Sequence, residues 1–325
     1  MSLCVRLMSL LLVALWSAPA VAEAPPFRTW LDGVRSEAQS RGVRSATLQS
    51  ALADLAPIPR VLELDRRQPE STLSFAQYLE RVVSAARIER GRQRYEENRA
   101  LLDEVGRRYG VPPRVIVALW GIETDFGRMT GGFPVVAALA TLAYDGRRSS
   151  FFRKELLDAL QILDEGHVTP AAMQGSWAGA MGQNQFMPSS FRAFAIDHDG
   201  DGRRDIWGNL SDVFASTANY LSRSGWRSGE TWGREVALPA GFDRGLVGAD
   251  ARRPLREWAA LGLRRIDGGE LPQRDVEATL ISGEKDGGGP YFLAYDNFRV
   301  ILKWNRSNYF ALAVGRLSDA IQAGS

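Results

Sequence analysis

Cysteine is almost absent from this sequence. The single one, Cys4, precedes the first apolar run, and nothing from Glu23 onward carries a thiol, so no disulfide can form there. Histidine is nearly as scarce, with only His167 and His198. A three-histidine zinc site is therefore impossible, and a structural zinc site lacks its thiolates. A Ser-His-Asp triad would have to use one of these two. His167 lies in the turn Glu165-Gly166-His167-Val168-Thr169-Pro170 and His198 inside an acidic loop. Both read as surface histidines rather than as bases beside a nucleophile. Lysine is limited to Lys154, Lys285 and Lys303, which genomic base composition explains as readily as function does.

Also missing is an excess of either charge. Of 40 Lys plus Arg, Arg6 lies in the leader; the remaining 39 face 38 Asp plus Glu. A net charge of +1 argues against a dedicated nucleic-acid binder. No apolar run has the length of an ordinary membrane span. Residues 1–22 instead read as a signal peptide: Arg6 gives the positive charge, residues 7–16 the apolar stretch, and Ala20-Val21-Ala22 the small-residue cleavage site. A lipid anchor would need a cysteine after the apolar stretch, and Cys4 comes before it. The expected product is soluble, periplasmic and without a membrane anchor. The 325 residues less these 22 leave 303, enough for a large core.

Helical patterning dominates 23–228, with a texture change near Gly229. From there to 303, short β-prone runs appear at 235–238, 277–281 and 298–302, punctuated by Gly and Pro. Residues 304–325 return to helix. The pattern predicts an α+β chain, mainly α, with a small antiparallel β-rich part.

The helical part contains one acid at an unexpected place. In the stretch RVIVALWGIETDFG, Ile116, Leu119, Trp120 and Glu123 fall at i, i+3, i+4 and i+7, which is one face of a helix. Asp125 is two positions on, about 200° round the helix, and points elsewhere. A carboxyl extending an apolar stripe keeps its proton, because desolvation disfavours the charge, and so suits a general acid. The competing reading is a helix-end Glu that turns back to solvent or caps a neighbour.

Four motifs resemble those of one family. They are Leu119-Trp120-Gly121-Ile122-Glu123-Thr124, the sixteen-residue block from Gly175 to Ser190 (GSWAGAMGQNQFMPSS), the loop Asp197-His198-Asp199-Gly200-Asp201-Gly202, and the segment Trp304 to Ala311 (WNRSNYFA). Together they resemble lytic murein transglycosylases of the B type (glycoside hydrolase family 103), from about Phe27 to Gln322. The resemblance implies a lysozyme-like core. It also implies cleavage of the β-1,4 bond from N-acetylmuramic acid to N-acetylglucosamine in peptidoglycan, with 1,6-anhydro products. Its implied catalytic residue is Glu123. Residues implied at the saccharide groove are Arg147, Arg148, Ser176, Trp177, Gln185, Phe186, Tyr220, Trp304 and Phe310.

Each of these has a second reading. Ser176 could meet an acetamido group or brace its loop. Phe186 could belong to the core. Arg147 and Arg148 could meet peptide or lactyl carboxylates or form a solvated face. Trp304 and Phe310 stand where the family often has Tyr, so hydroxyl contacts are lost there while stacking on sugar rings remains available. Gln185 offers both a donor and an acceptor, as an acetamide requires.

The acidic loop carries a separate expectation. Asp197, Asp199, Asp201 and Gly202 fit the first half of an EF-hand loop, but the twelfth position is Gly208 rather than Glu. The resemblance places a later ligand at Asp212, and Asp205 could substitute. Hard oxygen donors favour a structural Ca2+, the alternative being a solvated acidic turn. No cofactor is expected for catalysis. The expected partners are peptidoglycan glycan strands and, beyond them, enzymes of cell-wall synthesis; the chain is expected to be a monomer. Competing functions are a hydrolytic muramidase and a non-catalytic peptidoglycan-binding protein.

Overall fold

The structure, a computed structural model, describes residues 25–67, 73–248 and 251–322. The signal-peptide reading (Arg6, residues 7–16, Ala20-Val21-Ala22, with Cys4) lies outside the described residues. Three helices open the chain: Phe27–Ser40 (α1), Ser45–Leu52 (α2) and Pro59–Arg66 (α3). The next helical stretch is divided into Phe75–Val82 (α4), Ala85–Glu97 (α5) and Arg99–Tyr109 (α6). Serine caps mark the breaks. Ser74 and Gln77 form a reciprocal capping box at α4, and the Ser84 hydroxyl accepts from Arg87 N–H at α5.

Pro113–Thr124 (α7) starts at its proline, whose missing N–H has no helical partner to lose in the first turn. Then come Phe133–Pro134 (β1), Val135–Tyr144 (α8), Ser149–Asp164 (α9), Gln174–Gly175 (β2), Pro188–Phe194 (α10) and Leu210–Arg223 (α11). β1 and β2 pair antiparallel.

The β-rich part begins with Gly233–Ala237 (β3) and Arg253–Pro254 (β4), followed by the short helix Leu255–Ala260 (α12). Arg264–Arg265 (β5), Glu277–Ser282 (β6) and Tyr291–Ala294 (β7) complete it. Its five strands lie in the order β4-β6-β7-β3-β5, every pair antiparallel. Trp258, fully buried, centres a small core of its own with Val236, Leu255, Leu263, Leu280 and Leu293. The helices share a larger core, which also takes in Trp232 and, from β7, Phe292 and Ala294.

The sequence expectation fails at 298–302, read as strand from its branched residues. It lies in helix Asp296–Trp304 (α13), and the last strand is β7, further back. The wider window explains this. Asn297, Val300, Ile301 and Trp304 repeat at i, i+3, i+4 and i+7, and the first three are buried. Asn308–Gln322 (α14) closes the described chain. It lies along α7, which also touches α5, α6 and α11, so α7 runs through the middle of the helical core. No helix among the described residues is long and apolar enough to cross a membrane.

Both histidines depart from the surface reading. The His167 side chain is 10% exposed and His198 only 4%. His167 Nδ1 accepts from Arg204 N–H at 3.2 Å, and His198 Nε2 lies 3.3 Å from Glu104. Neither meets a nucleophile; each ties the acidic loop region to its surroundings.

Candidate active site

The α7 stripe explains where Glu123 stands. Ile116, Leu119 and Trp120 are buried, and Trp120 Nε1 donates to Gln183 Oε1 at 2.8 Å. Glu123, one turn further, is partly exposed. The helix then stops abruptly. Asp125 and Phe126 both take left-handed backbone angles, with φ of 49° and 61°, which costs roughly 1–2 kcal/mol each. Two interactions offset this. Asp125 is held by Arg90 at 2.7 Å and Arg128 at 3.1 Å. Phe126 folds back, 4% exposed, with its ring perpendicular to Trp120 at 5.5 Å; burying such a side chain is worth about 2–3 kcal/mol. Gly121 is required for that return, since a Cβ there would stand 2.6 Å from the Phe126 ring. The turn leaves Glu123 at the open end of a buried helix and commits Asp125 to arginines.

The Glu123 carboxylate oxygen Oε1 accepts from Trp304 Nε1 at 2.7 Å. Burial pushes the carboxyl up to about 7 from its ordinary 4.5, with the Trp304 bond acting in the opposite direction. The fold thus favours the neutral acid and leaves a sizeable protonated fraction near pH 7. Tyr78 on α4 stands close by: its phenol is raised first by burial and then by the Glu123 charge. Sequence reasoning missed Tyr78, because nothing local distinguishes it from a packing tyrosine; α4 reaches the site only through tertiary packing. Gln183 was also missed as a support: its Oε1 accepts from Trp120, its Nε2 donates to Trp207 O at 2.8 Å, and its backbone carbonyl accepts from Thr124 Oγ1 at 3.1 Å.

Three expected groove aromatics form the wall behind this floor. Trp304 lies 5.1 Å from Phe186 and 4.7 Å from Tyr220, centre to centre. Phe186 is only 3% exposed, so its core reading is the one the geometry favours. Tyr220 donates its hydroxyl to Lys303 O at 2.7 Å, fastening α11 to the last turn of α13 and thereby fixing Trp304. Phe310 is buried in the helical core. Trp304 itself stays partly exposed, as does Trp177.

The block from Gly175 folds on itself. Met181 bridges to both Gly175 and Phe186, which brings the Ser176-Trp177 and Gln185-Phe186 pairs onto one small ladder. A Cβ on Gly175 would stand 2.1 Å from Ala180 O, so the ladder closes only over glycine. Ser176 Oγ accepts from Ala180 N–H at 3.1 Å, the bracing bond, and keeps its own O–H to give. Gln185 has φ 51°, and its amide nitrogen donates to Thr130 O and Gly182 O, each at 3.0 Å. The expectation of a two-way amide is corrected: the loop takes its donors and leaves the carbonyl oxygen.

Arg147 and Arg148 both converge on buried Asp65 of α3. Arg147 Nε lies 3.0 Å from Asp65 Oδ2 and Arg148 Nη2 2.5 Å from Oδ1. Arg148 also covers the Phe152 ring at 5.0 Å. Both guanidiniums remain about half exposed, so the pair is held in place while its outer donors face solvent.

In the acidic loop, single oxygens of Asp197, Asp199 and Asp212 lie within 4.8 Å of one another. Asp212 is fully buried. Its oxygens accept from His198 N–H at 2.8 Å and Asp205 N–H at 2.7 Å, and burial, reinforced by the charges of Asp199 and Asp197, raises its pKa. This donor set fits a hard divalent cation. Asp201 and Asp205 stand outside the trio. Asp201 accepts from Arg203 N–H, and Asp205 from Trp207 and Gly208 N–H, so each closes its own turn.

The family model described as "Transglycosylase SLT domain" matches residues 26–319. The membrane-bound lytic murein transglycosylase B of Escherichia coli strain K12 is 30% identical over 293 residues, covering 84% of this chain and 77% of that protein. Crystalline SltB3 from Pseudomonas aeruginosa in complex with NAG-NAM-pentapeptide is 45% identical with a TM-score of 0.89, over 92% of this chain and 80% of its own. The E. coli lytic transglycosylase Slt35 in complex with calcium is 29% identical with a TM-score of 0.77, over 92% and 93%. A mainly helical chain that carries its acid on the central helix, and that matches over nearly its whole described length, belongs to the SLT-domain lytic transglycosylases.

Proposed function

We propose that the protein cleaves the β-1,4 bond between N-acetylmuramic acid and N-acetylglucosamine in peptidoglycan and releases 1,6-anhydromuramic ends, with Glu123 as the one acid and base. The observation that carries this reading is a carboxyl with a pKa of about 7, hydrogen-bonded by Trp304, with its sequence neighbour Asp125 held by arginines. Glycosidases that use two carboxyls need them about 5 Å apart for retention or about 6.5–9.5 Å for inversion. One suffices when the substrate assists.

Protonated Glu123 gives its proton to the glycosidic oxygen as the bond to the anomeric carbon breaks. The muramic acetamide oxygen stabilises that carbon. The Glu123 carboxylate then takes the proton of the sugar's 6-hydroxyl, whose oxygen bonds to the anomeric carbon. The acid is regenerated, and no water is consumed. Trp304 orients the carboxyl and stabilises its charged form midway. Tyr78, Ser176, Trp177 and the Gln185 carbonyl present surface or hydrogen-bonding atoms to the saccharide. Phe186, Tyr220 and Phe310 hold the wall from behind, and Arg147 and Arg148 present guanidiniums held by Asp65. Digestion of purified peptidoglycan followed by mass analysis tests the reading. Anhydro ends, one water lighter than hydrolytic ends, support it; hydrated ends would make the protein a muramidase instead.

Asp197, Asp199 and Asp212 are proposed to hold a structural Ca2+, supported by their converging oxygens and by a relative solved with calcium. The ion would neutralise three clustered carboxylates and pin the loop before α11; it takes no part in the reaction. Secretion to the periplasm as a soluble monomer, among the enzymes that build the wall, completes the proposal.

A further inference from the structure

A second cavity opens beside the site. It encloses about 290 Å³ between the start of the β6–β7 connection, Ser282 to Lys285, and the α13–α14 junction, Arg306 to Tyr309. Three observations tie it to the groove. Arg306 follows two residues after Trp304, whose indole bonds Glu123. Tyr309, which lines the cavity, packs its ring 5.6 Å from Tyr78. Tyr78 in turn feels the Glu123 charge.

The cavity's charge is set by its partners. Glu284, the acid in its lining, is already engaged: both its oxygens accept from Phe75 N–H at 3.0 Å, and one from the Tyr309 hydroxyl at 3.1 Å. Lys285 and Arg306 supply two positive charges to the same lining. Arg306 is exposed and, among the described residues, has neither an ion pair nor a hydrogen bond. An unengaged guanidinium at the mouth of a polar cavity suits a carboxylate, which it can meet with two parallel N–H bonds.

Resting on the transglycosylase reading, we infer that this cavity receives a carboxylate of the peptide stem carried by the muramic sugar. In a peptide-bearing strand the lactyl carboxyl of the muramic sugar is tied up in the amide to the stem, so an anion reaching this point comes from the peptide. Two solved complexes of P. aeruginosa SltB3 contain pentapeptide-bearing disaccharides, which shows that relatives accommodate a stem. Arg306 is then a specificity residue, not a catalytic one.

The test compares kcat/KM on peptide-bearing glycan strands with the same strands after their stem-peptide carboxylates have been chemically amidated. For Arg306→Glu, the ratio of the first to the second should fall about 5- to 10-fold relative to wild type, and the drop should shrink with added salt. Arg306→Ala should show a smaller fall in the same direction. A ratio equal to that of wild type, whether both rates stand or fall together, overturns the inference. Failure of the underlying reading looks different: the wild-type protein would then produce no anhydro ends from either substrate.

Discussion

Replacing Glu123 by Gln isolates what it costs the fold to keep an acid at the end of α7. Burial holds the Glu123 carboxyl at about 7, against 4.5 for the unperturbed group. The folded value is the higher one, so the fold favours the protonated form. Its contribution is fully present below about pH 4.5 and is lost as pH rises through about 7. At about 1.4 kcal/mol per pH unit, the gap between these values sets a ceiling of about 3 kcal/mol. Glu123 is partly exposed, and contact with groove water lowers the figure toward about 2 kcal/mol. Gln has nearly the same shape, can still accept from Trp304, and does not ionise. Urea unfolding of the two proteins should therefore nearly coincide at pH 4. At pH 8 Glu123→Gln should be the more stable by about 2–3 kcal/mol, which corresponds to roughly 5 °C in Tm for a chain of this size. Every other titrating group is common to both proteins and cancels. An equal stability difference at pH 4 and pH 8, or a less stable variant at pH 8, would refute the claim that Glu123 is held protonated by desolvation.

Trp304→Phe removes the hydrogen bond that favours the charged carboxyl. The falling limb of the pH–rate profile, expected near pH 7 in wild type from the Glu123 carboxyl, should move up by about one unit; an unmoved limb would detach Trp304 from the acid. Replacing Arg147 and Arg148 together by Ala leaves Asp65, 2% exposed, buried and unpaired. That should cost about 3–5 kcal/mol in unfolding free energy. Asp65→Asn should cost less, because both guanidiniums can rehydrate, and the reverse order would contradict the anchoring described here. Calcium at about a hundredfold its Kd should stabilise the protein by about 2.7 kcal/mol, with chelator reversing the gain. A melting curve indifferent to calcium would leave Asp197, Asp199 and Asp212 as a solvated turn.

Much of the helical part could be read in advance because its signals are local. Pro113 and Pro188 open α7 and α10 as their positions suggest, and the i, i+3, i+4, i+7 stripe located Glu123 correctly on a buried face. Two signals misled. The branched run at 298–302 favoured strand until its flanks, Asn297 and Trp304, supplied the helical repeat. Asp201 and Asp205 match ligands by type, but the oxygens that converge within 4.8 Å are those of Asp197, Asp199 and Asp212, a grouping that residue identity does not reveal.

The sequence by itself determined the periodicity that makes helices, the scarcity of His and Cys that leaves no three-histidine zinc site and no disulfide from Glu23 onward, and the place of the proposed acid, Glu123, along its helix. Those are properties of neighbours along the chain. Tertiary structure decided which residues face the acid. Trp304 bonds Glu123 from 181 positions away, Tyr78 arrives from α4, and Phe186 and Tyr220 withdraw into the wall. It also decided the pKa, because desolvation depends on every atom packed around a carboxyl, and most of those atoms belong to segments distant in sequence.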